Sequence, residues 1–245
     1  DMVCSVDLGE VVKRHVEKNA DITMVYVTKS RKEVDGNSNT YLALEEDGRV
    51  KELAFESKRQ TVNLYTNICV ISRVLLISLI GEAVAHGKTH FQKEVVMPGL
   101  KSLRVYGYLL EGYYAEITSM QKYYEENMRF LSSEVRNAVF RKSNVYTKVK
   151  DSTPTEYGEN AVVKNSLIAD GCKIEGEVYN SVIFRGVKVG RGTVIRNSVV
   201  MQNTITGENV TLNCIITDKN VVIRDRRNLS GCEMHPFYIS KGTVI

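Results

Sequence analysis

Cys232, Glu233, Met234 and His235 place a thiol and an imidazole three residues apart, the spacing of half a zinc site. Structural Zn²⁺ takes four such ligands, and no second pair stands at ligand spacing, so the reading stays at half a site. The five cysteines, Cys4, Cys69, Cys172, Cys214 and Cys232, are odd in number and scattered. They cannot all close into intrachain disulfides and read as reduced thiols. Arg224, Arg226 and Arg227 form the densest basic cluster, which reads first as a solvated face. A histidine could act as a general base, but His15, His86 and His90 precede the repeats described below, and His235 follows the last recognisable one.

The elements that must hold these groups fall into two halves. The 245 residues are 43% apolar and 25% charged, far from the composition of a disordered chain, and leave room for one or two domains. The net charge of +4 is spread along the chain and does not call for nucleic acid. The longest apolar run, Val70 to Leu79, is broken by Ser72 and Arg73, short of the roughly 18 apolar residues of a membrane span. Because the first residue is Asp1, the sequence reads as a piece of a longer chain.

In the first half, Leu8, Val11, Val12 and Val16 follow helical spacing behind a possible Asp7 N-cap. Ile22 to Val27 predicts a buried strand, and Tyr41–Leu44 with Arg49–Phe55 a hairpin turning at Asp47-Gly48. A strand over Val62 to Ile71 follows, then a helix over Val74 to Ala85 closed near Gly87 and a strand over Leu103 to Leu110. A helix over Ile117 to Leu131 carries Met120, Tyr124, Met128 and Leu131 on one stripe. This alternation implies part of an α/β layer. A polar stretch, Lys142 to Glu159, separates it from what comes next.

The second half repeats. Asn165-Ser-Leu-Ile168, Asn180-Ser-Val-Ile183, Asn197-Ser-Val-Val200 and Asn213-Cys-Ile-Ile216 begin 15, 17 and 16 residues apart, with further Val and Ile every five or six positions. A helix would let such a stripe drift around its surface, and β-branched residues would lose side-chain freedom there. Short strands with a corner about every six residues suit a parallel β-helix, its inward Val, Ile and Leu stacking into one column. Coils shorter than about 18 residues imply clipped corners. The Asn-Ser pairs read as corner and ladder groups, since Asn tolerates left-handed backbone. Outward members of the doublets, as at Leu167/Ile168 and Val199/Val200, must be exposed or meet another subunit. Pro236 to Lys241 reads as a terminal strand covering the last coil.

With Asp1-Met-Val-Cys-Ser-Val-Asp7, then His15-Val-Glu-Lys-Asn-Ala-Asp21-Ile-Thr23, then Asn-Ser coils, the chain resembles the ADP-glucose pyrophosphorylase (glucose-1-phosphate adenylyltransferase) family along nearly its whole length. Gly48–Phe55, Phe91–Val96 and Gly112–Glu116 add to the likeness. The resemblance implies a truncated Rossmann-like nucleotidyltransferase domain over residues 1–131, a linker over 132–160 and a left-handed parallel β-helix over 161–245. The family's Gly-rich ATP-phosphate loop does not occur in the sequence.

By the same resemblance, Asp1 and Glu116 stand where the family holds Mg²⁺, and Lys58 where it holds the phosphate of glucose 1-phosphate. Three departures stand beside these. Glu116 replaces an Asp, Asn67 a Gly beside the sugar, and Ser57 with Arg59 flank Lys58 in place of the family's Glu and Pro. Mg²⁺ demands near-ideal octahedral geometry, so one extra methylene on a ligand is not neutral. The departures point to the family's regulatory, largely non-catalytic branch, cytoplasmic and in hetero-oligomers, as tetramers, with a catalytic subunit. Mg²⁺ belongs to the intact enzyme, and none is expected on this chain. Neither nucleic acid nor a membrane is an expected partner. An anionic effector at the Arg224, Arg226 and Arg227 cluster, a catalytically competent pyrophosphorylase, an acyltransferase and a translation-initiation exchange-factor subunit of similar architecture are the alternatives.

Overall fold

A computed structural model describes residues 1–34, 39–140, 145–146 and 150–245. The chain divides into two compact units, Cys4–Tyr114 and Asp1–Val3 with Ala115–Ile245.

In the first unit the local signals act as the sequence leads one to expect. Helix α1, Leu8–Glu17, starts where the Asp7 carboxylate accepts the N–H groups of Gly9 at 2.9 Å and Glu10 at 3.2 Å. Strand β1, Met2–Cys4, precedes it and β2, Ile22–Ser30, follows. The hairpin β3, Tyr41–Leu44, and β4, Val50–Ala54, turns at Gly48 with φ +88°, and the Asp47 carboxylate accepts from Arg49 N at 2.9 Å. Next come β5, Thr61–Ile71, then helix α2, Arg73–Ala85, capped by Ser72, and β6, Val105–Leu109.

The sheet order is β4-β3-β5-β2-β6. It is mixed: β2 runs parallel to β6, while β2–β5, β3–β4 and β3–β5 are antiparallel. Its core gathers Ile22, Met24, Leu42, Val50, Leu53, Tyr65, Val96 and Val105. Between Met24↔Cys69 and Tyr26↔Tyr65 the register slips, so Thr66, Asn67 and Ile68 bulge from β5.

The second unit is a parallel β-helix with three faces of five strands each. The first face stacks Glu156–Tyr157, Lys173–Ile174, Lys188–Val189, Ile205–Thr206 and Val222–Ile223. The second stacks Val162–Lys164, Glu177–Tyr179, Val194–Arg196, Thr211–Asn213 and Asn228–Ser230. On the third lie Leu167–Ile168, Val182–Ile183, Val199–Val200, Ile215–Thr217 and Phe237–Ile239. Ile174, Val189, Ile195, Leu212, Ile183 and Ile215 build the inner column, each at most 1% exposed.

The Asn amides form the expected ladder, Asn165 Nδ2 to Asn180 Oδ1 at 2.8 Å, Asn180 to Asn197 at 3.4 Å and Asn197 to Asn213 at 3.1 Å. Asn165, Asn180 and Asn197 all take φ near +45°. The fourth block departs from the sequence alignment by one residue. Val199 pairs with Ile216 and Arg196 with Asn213, so Cys214, at φ +53°, occupies the corner that Asn197 holds one coil earlier. A coil of 17 residues is thereby kept where the aligned Asn residues give 16.

Three further expectations change. Val199 and Ile216, outward members of their doublets, are neither exposed nor left for a partner subunit. The helix Met120–Arg129, capped by Ser119, lays Tyr124 over them, and Tyr124 Oη donates to Asn197 O at 2.8 Å. The stretch read as a linker, 132–160, contains the helix Ser133–Phe140 and the first rung, Glu156–Tyr157, while its residues 141–144 and 147–149, and with them part of the polar stretch from Lys142, lie outside the described residues. Phe237–Ile239, within the segment read as a cover, extends the third face by one more rung in register with Ile215–Thr217. Thr243 and Ile245 then bond Val222 on the first face.

Candidate functional site

The two residues that the resemblance assigned to a metal lie on adjacent strands but are not opposite each other. β1 pairs with β7, Tyr114–Glu116; Ile117 N donates to Asp1 O at 2.8 Å and Ser5 N to Tyr113 O at 3.3 Å, an antiparallel register that sets residue 1 opposite Ile117 and Glu116 opposite Met2, so that Asp1 and Glu116 fall on opposite faces of the pair. Asp1 is exposed and Glu116 half-buried. Among the described residues no group of three His, Cys, Asp or Glu side chains could hold a metal ion. Mg²⁺ commonly takes one or two protein carboxylates and completes its shell with substrate phosphates and water. Two carboxylates fit that use in number, but on opposite faces of the strand pair they do not converge on one ion.

Lys58 lies in the other unit. It is exposed on the loop between β4 and β5, at a cleft of about 440 Å³ lined by Tyr41, Ala43, Glu52, Ala54, Arg59 and Asn63 among others. The sequence reading missed what holds this loop. Arg31, just past the end of β2, donates its Nε to Ser57 O at 3.4 Å and a terminal nitrogen to Val34 O at 3.0 Å, while its backbone N–H bonds Gln60 O at 2.8 Å. The only signal in the sequence was a basic residue at a strand end, which is too common to single out. Lys58 and Arg59 present two cations at the cleft, with Glu52 and Glu56 tempering them. Such a rim can take a phosphate, with Lys acting as a point charge.

Asn67, where the family has Gly, takes φ +62° and is exposed on the β5 bulge. The backbone here is left-handed, a conformation Gly takes freely, and Asn adds a polar side chain to it. Behind it, buried Thr66 donates to Val25 O at 2.9 Å and fixes the bulge.

The His15-to-Thr23 string proves to be a tie between elements. His15 Nδ1 on α1 meets Thr23 Oγ1 on β2 at 2.9 Å. Asp21 receives Arg104 through the backbone N–H at 2.7 Å, Nε at 3.2 Å and a terminal nitrogen at 2.9 Å. Those bonds hold the Asp21 carboxyl below its usual range, and burial pushes the His15 imidazole down, partly opposed by Asp21. Cys232 and His235 exchange backbone hydrogen bonds at 3.2 and 3.0 Å, so their spacing belongs to a tight turn. Arg224, Arg226 and Arg227 are all exposed on the last coil, and Arg226 holds a left-handed corner at φ +59°.

Residues 149–234 match the family model described as GlmU-like, C-terminal hexapeptide. The glycogen biosynthesis protein GlgD of Bacillus subtilis (strain 168) is 34% identical over 99% of this chain and 61% of its own length. GlgD of Geobacillus stearothermophilus is 33% identical with the same coverage. A glucose-1-phosphate adenylyltransferase of Desulfitobacterium hafniense (strain Y51) is 30% identical over 91% of this chain and 57% of its own length. The chain thus spans about three fifths of the length of these relatives. No helix among the described residues is long and apolar enough to cross a membrane. An α/β unit followed by a hexapeptide-type β-helix, matched along almost the whole chain, makes this a sequence similar to the glucose-1-phosphate adenylyltransferase family and, within it, to GlgD.

Proposed function

We propose that this chain is part of a regulatory, largely non-catalytic subunit of glucose-1-phosphate adenylyltransferase, the enzyme that converts ATP and glucose 1-phosphate to ADP-glucose and diphosphate for glycogen synthesis. The observation that carries the reading is the similarity to GlgD along 99% of the chain, together with the state of the two expected metal ligands. Position 116 is a Glu that stands opposite Met2 rather than Asp1, and no group of three candidate ligands occurs among the described residues. Nucleotidyl transfer depends on positioning and on charge stabilisation by the metal, and a longer ligand side chain displaces an ion that tolerates little distortion. Lys58 at its cleft is retained, so the subunit keeps a phosphate contact without a well-formed metal site.

In this reading the subunit is cytoplasmic and works in a tetramer with a catalytic partner, which supplies the Mg²⁺-dependent turnover. The similarity to GlgD supports it. The test is a diphosphate-release assay on a protein of the relatives' full length, alone and mixed with a catalytic adenylyltransferase. Alone it is expected to be nearly silent, and mixed it should alter the partner's saturation by glucose 1-phosphate. Robust turnover of the protein alone overturns the proposal in favour of a catalytic subunit.

A further inference from the structure

Helix α2 is apolar on the side that faces water as well as on the side that faces the sheet. Its inner side carries buried Ala83 and half-buried Leu75, Leu76 and Leu79, with Leu79 against the core of the α/β unit. Its outer side carries Val74, 81% exposed, Ile77, 59%, Ile80, 47%, and Val84, 72%. The spacing of 3, 3 and 4 residues keeps all four on one stripe, about 15 Å long at 1.5 Å per residue. Gly81 lies within this stripe, and a Cβ placed there would meet nothing within 4 Å, so it leaves a notch between the large side chains. Apolar stripes of this kind on a water-facing helix mark interaction surfaces.

Charge says what covers it. Helix α1 is charged as its own dipole prefers, with Glu10 in the first turn and Arg14 and His15 in the last. Helix α2 is reversed: its first turn holds Arg73 and no acid, and its last turn holds Glu82 and no base. Among the described residues neither Arg73 nor Glu82 has an ion-pair partner. Such a helix is complemented by an antiparallel helix of the same kind, whose carboxyl end lies at Arg73 and whose amino end lies near Glu82. A two-fold axis through the middle of α2, near Leu79, sets Val74 against Val84 of the other copy and Ile77 against the notch at its Gly81. The surface is self-complementary, as an isologous contact requires.

We infer that the outer stripe of α2 is a homotypic interface, on which a second copy of this chain docks its own α2 antiparallel. The inference uses only residues of α2 and stands apart from the catalytic or regulatory reading above.

The test uses the full chain in sedimentation velocity across the micromolar range, with circular dichroism to verify folding. Concentration-dependent dimerisation is expected. Ile77→Glu, at an exposed position, should weaken it by about tenfold or more, because a carboxylate is then placed in an apolar contact. Orientation is read by mild oxidation of variants that each add one cysteine, with the natural protein and its five thiols as the background control. Val74→Cys mixed with Val84→Cys should give a cross-linked dimer that neither variant gives alone. A monomer at every concentration, a dimer indifferent to Ile77→Glu, or cross-linking of Val74→Cys to itself overturns the inference.

Discussion

The two units hold their chain in place in different ways. In the β-helix each coil is fixed by the coils above and below it, and the corners repeat. Of the ten non-glycine residues with positive φ among the described residues, eight lie in the β-helix and two, Asn19 and Asn67, in the α/β unit. Glycines Gly176, Gly190 and Gly207 stand against the backbone or a side chain of the next coil. In the α/β unit Gly48 and Gly87 face open space, Gly112 has only Ser5 O at 3.8 Å, and Gly99 and Gly107 would meet side chains rather than backbone. One unit makes a local change everyone's problem along the stack, and the other confines it.

Substituting glycines sharpens that difference most. A Cβ on Gly190 meets the carbonyl oxygen of Gly207 and, at 2.6 Å, its carbonyl carbon, both of them backbone atoms locked in the parallel ladder. Gly190→Ala is therefore expected to destabilise by about 3 kcal/mol, the upper end of overpacking costs. Gly87→Ala, at φ +65° with nothing nearby, should lose only about 1 to 2 kcal/mol from the left-handed backbone. Urea melts of the two variants give the ratio. Equal losses would mean that the stack yields as readily as a loop.

A smaller effect comes from the corners. Asn180 at φ +46° links Asn165 and Asn197 through its amide, whereas Asn67 at φ +62° stands alone on a bulge. Asn180→Ala should lose about 1 to 2 kcal/mol, combining left-handed strain with lost ladder bonds. Asn67→Gly should be close to neutral in stability, since Gly adopts the same backbone freely. Thermal denaturation of each variant checks the sign as well as the size.

The same difference explains what the sequence could show. Repetition exposed the coils, because each inward Val or Ile has a counterpart one coil away and the Asn residues mark the corners. It misled at Asn213, where a chance Asn stands one place before the true corner residue Cys214. Cys gives no sign of a left-handed backbone, and the register is visible only in the pairing of Val199 with Ile216. Burial of the outward doublets was hidden because the helix that covers them lies some 70 residues earlier. In the α/β unit, caps and turn residues marked most element positions, but strand order and the bulge at residues 66–68 depend on non-local pairing. The candidate site suffers the same limit. That Asp1 and Glu116 fall on opposite faces is visible only in the register of β1 with β7, and the Arg31 anchor of the Lys58 loop spans 26 residues.

The smallest expected effect tests whether the His15-to-Thr23 string is the structural tie that its geometry describes. In the fold, burial favours the neutral form of the His15 imidazole, which meets Thr23 Oγ1, and Thr23 is only 1% exposed. Its folded pKa is below the ordinary histidine value of about 6.5, so the unfolded chain takes up the proton first. The contribution is present above about pH 6.5 and is lost as pH falls through the lower folded value. Asp21 titrates in a separate, more acidic window: its carboxyl is held low by Arg104, so its contribution is lost only as pH falls below the ordinary carboxylate range. The urea midpoint of the natural protein should therefore fall between pH 7.5 and pH 5.5 by more than that of His15→Gln, whose side chain keeps a polar group near Thr23 but does not titrate. Asp21→Asn should flatten the acid limb and, by removing the charge that partly opposes burial at His15, make the fall between pH 7.5 and pH 5.5 no smaller. If the two variants give the opposite assignment, the string is not acting as two separate ties, one from α1 to β2 and one from Asp21 to Arg104, and the α/β unit is coupled along its sheet edge as the β-helix is along its stack.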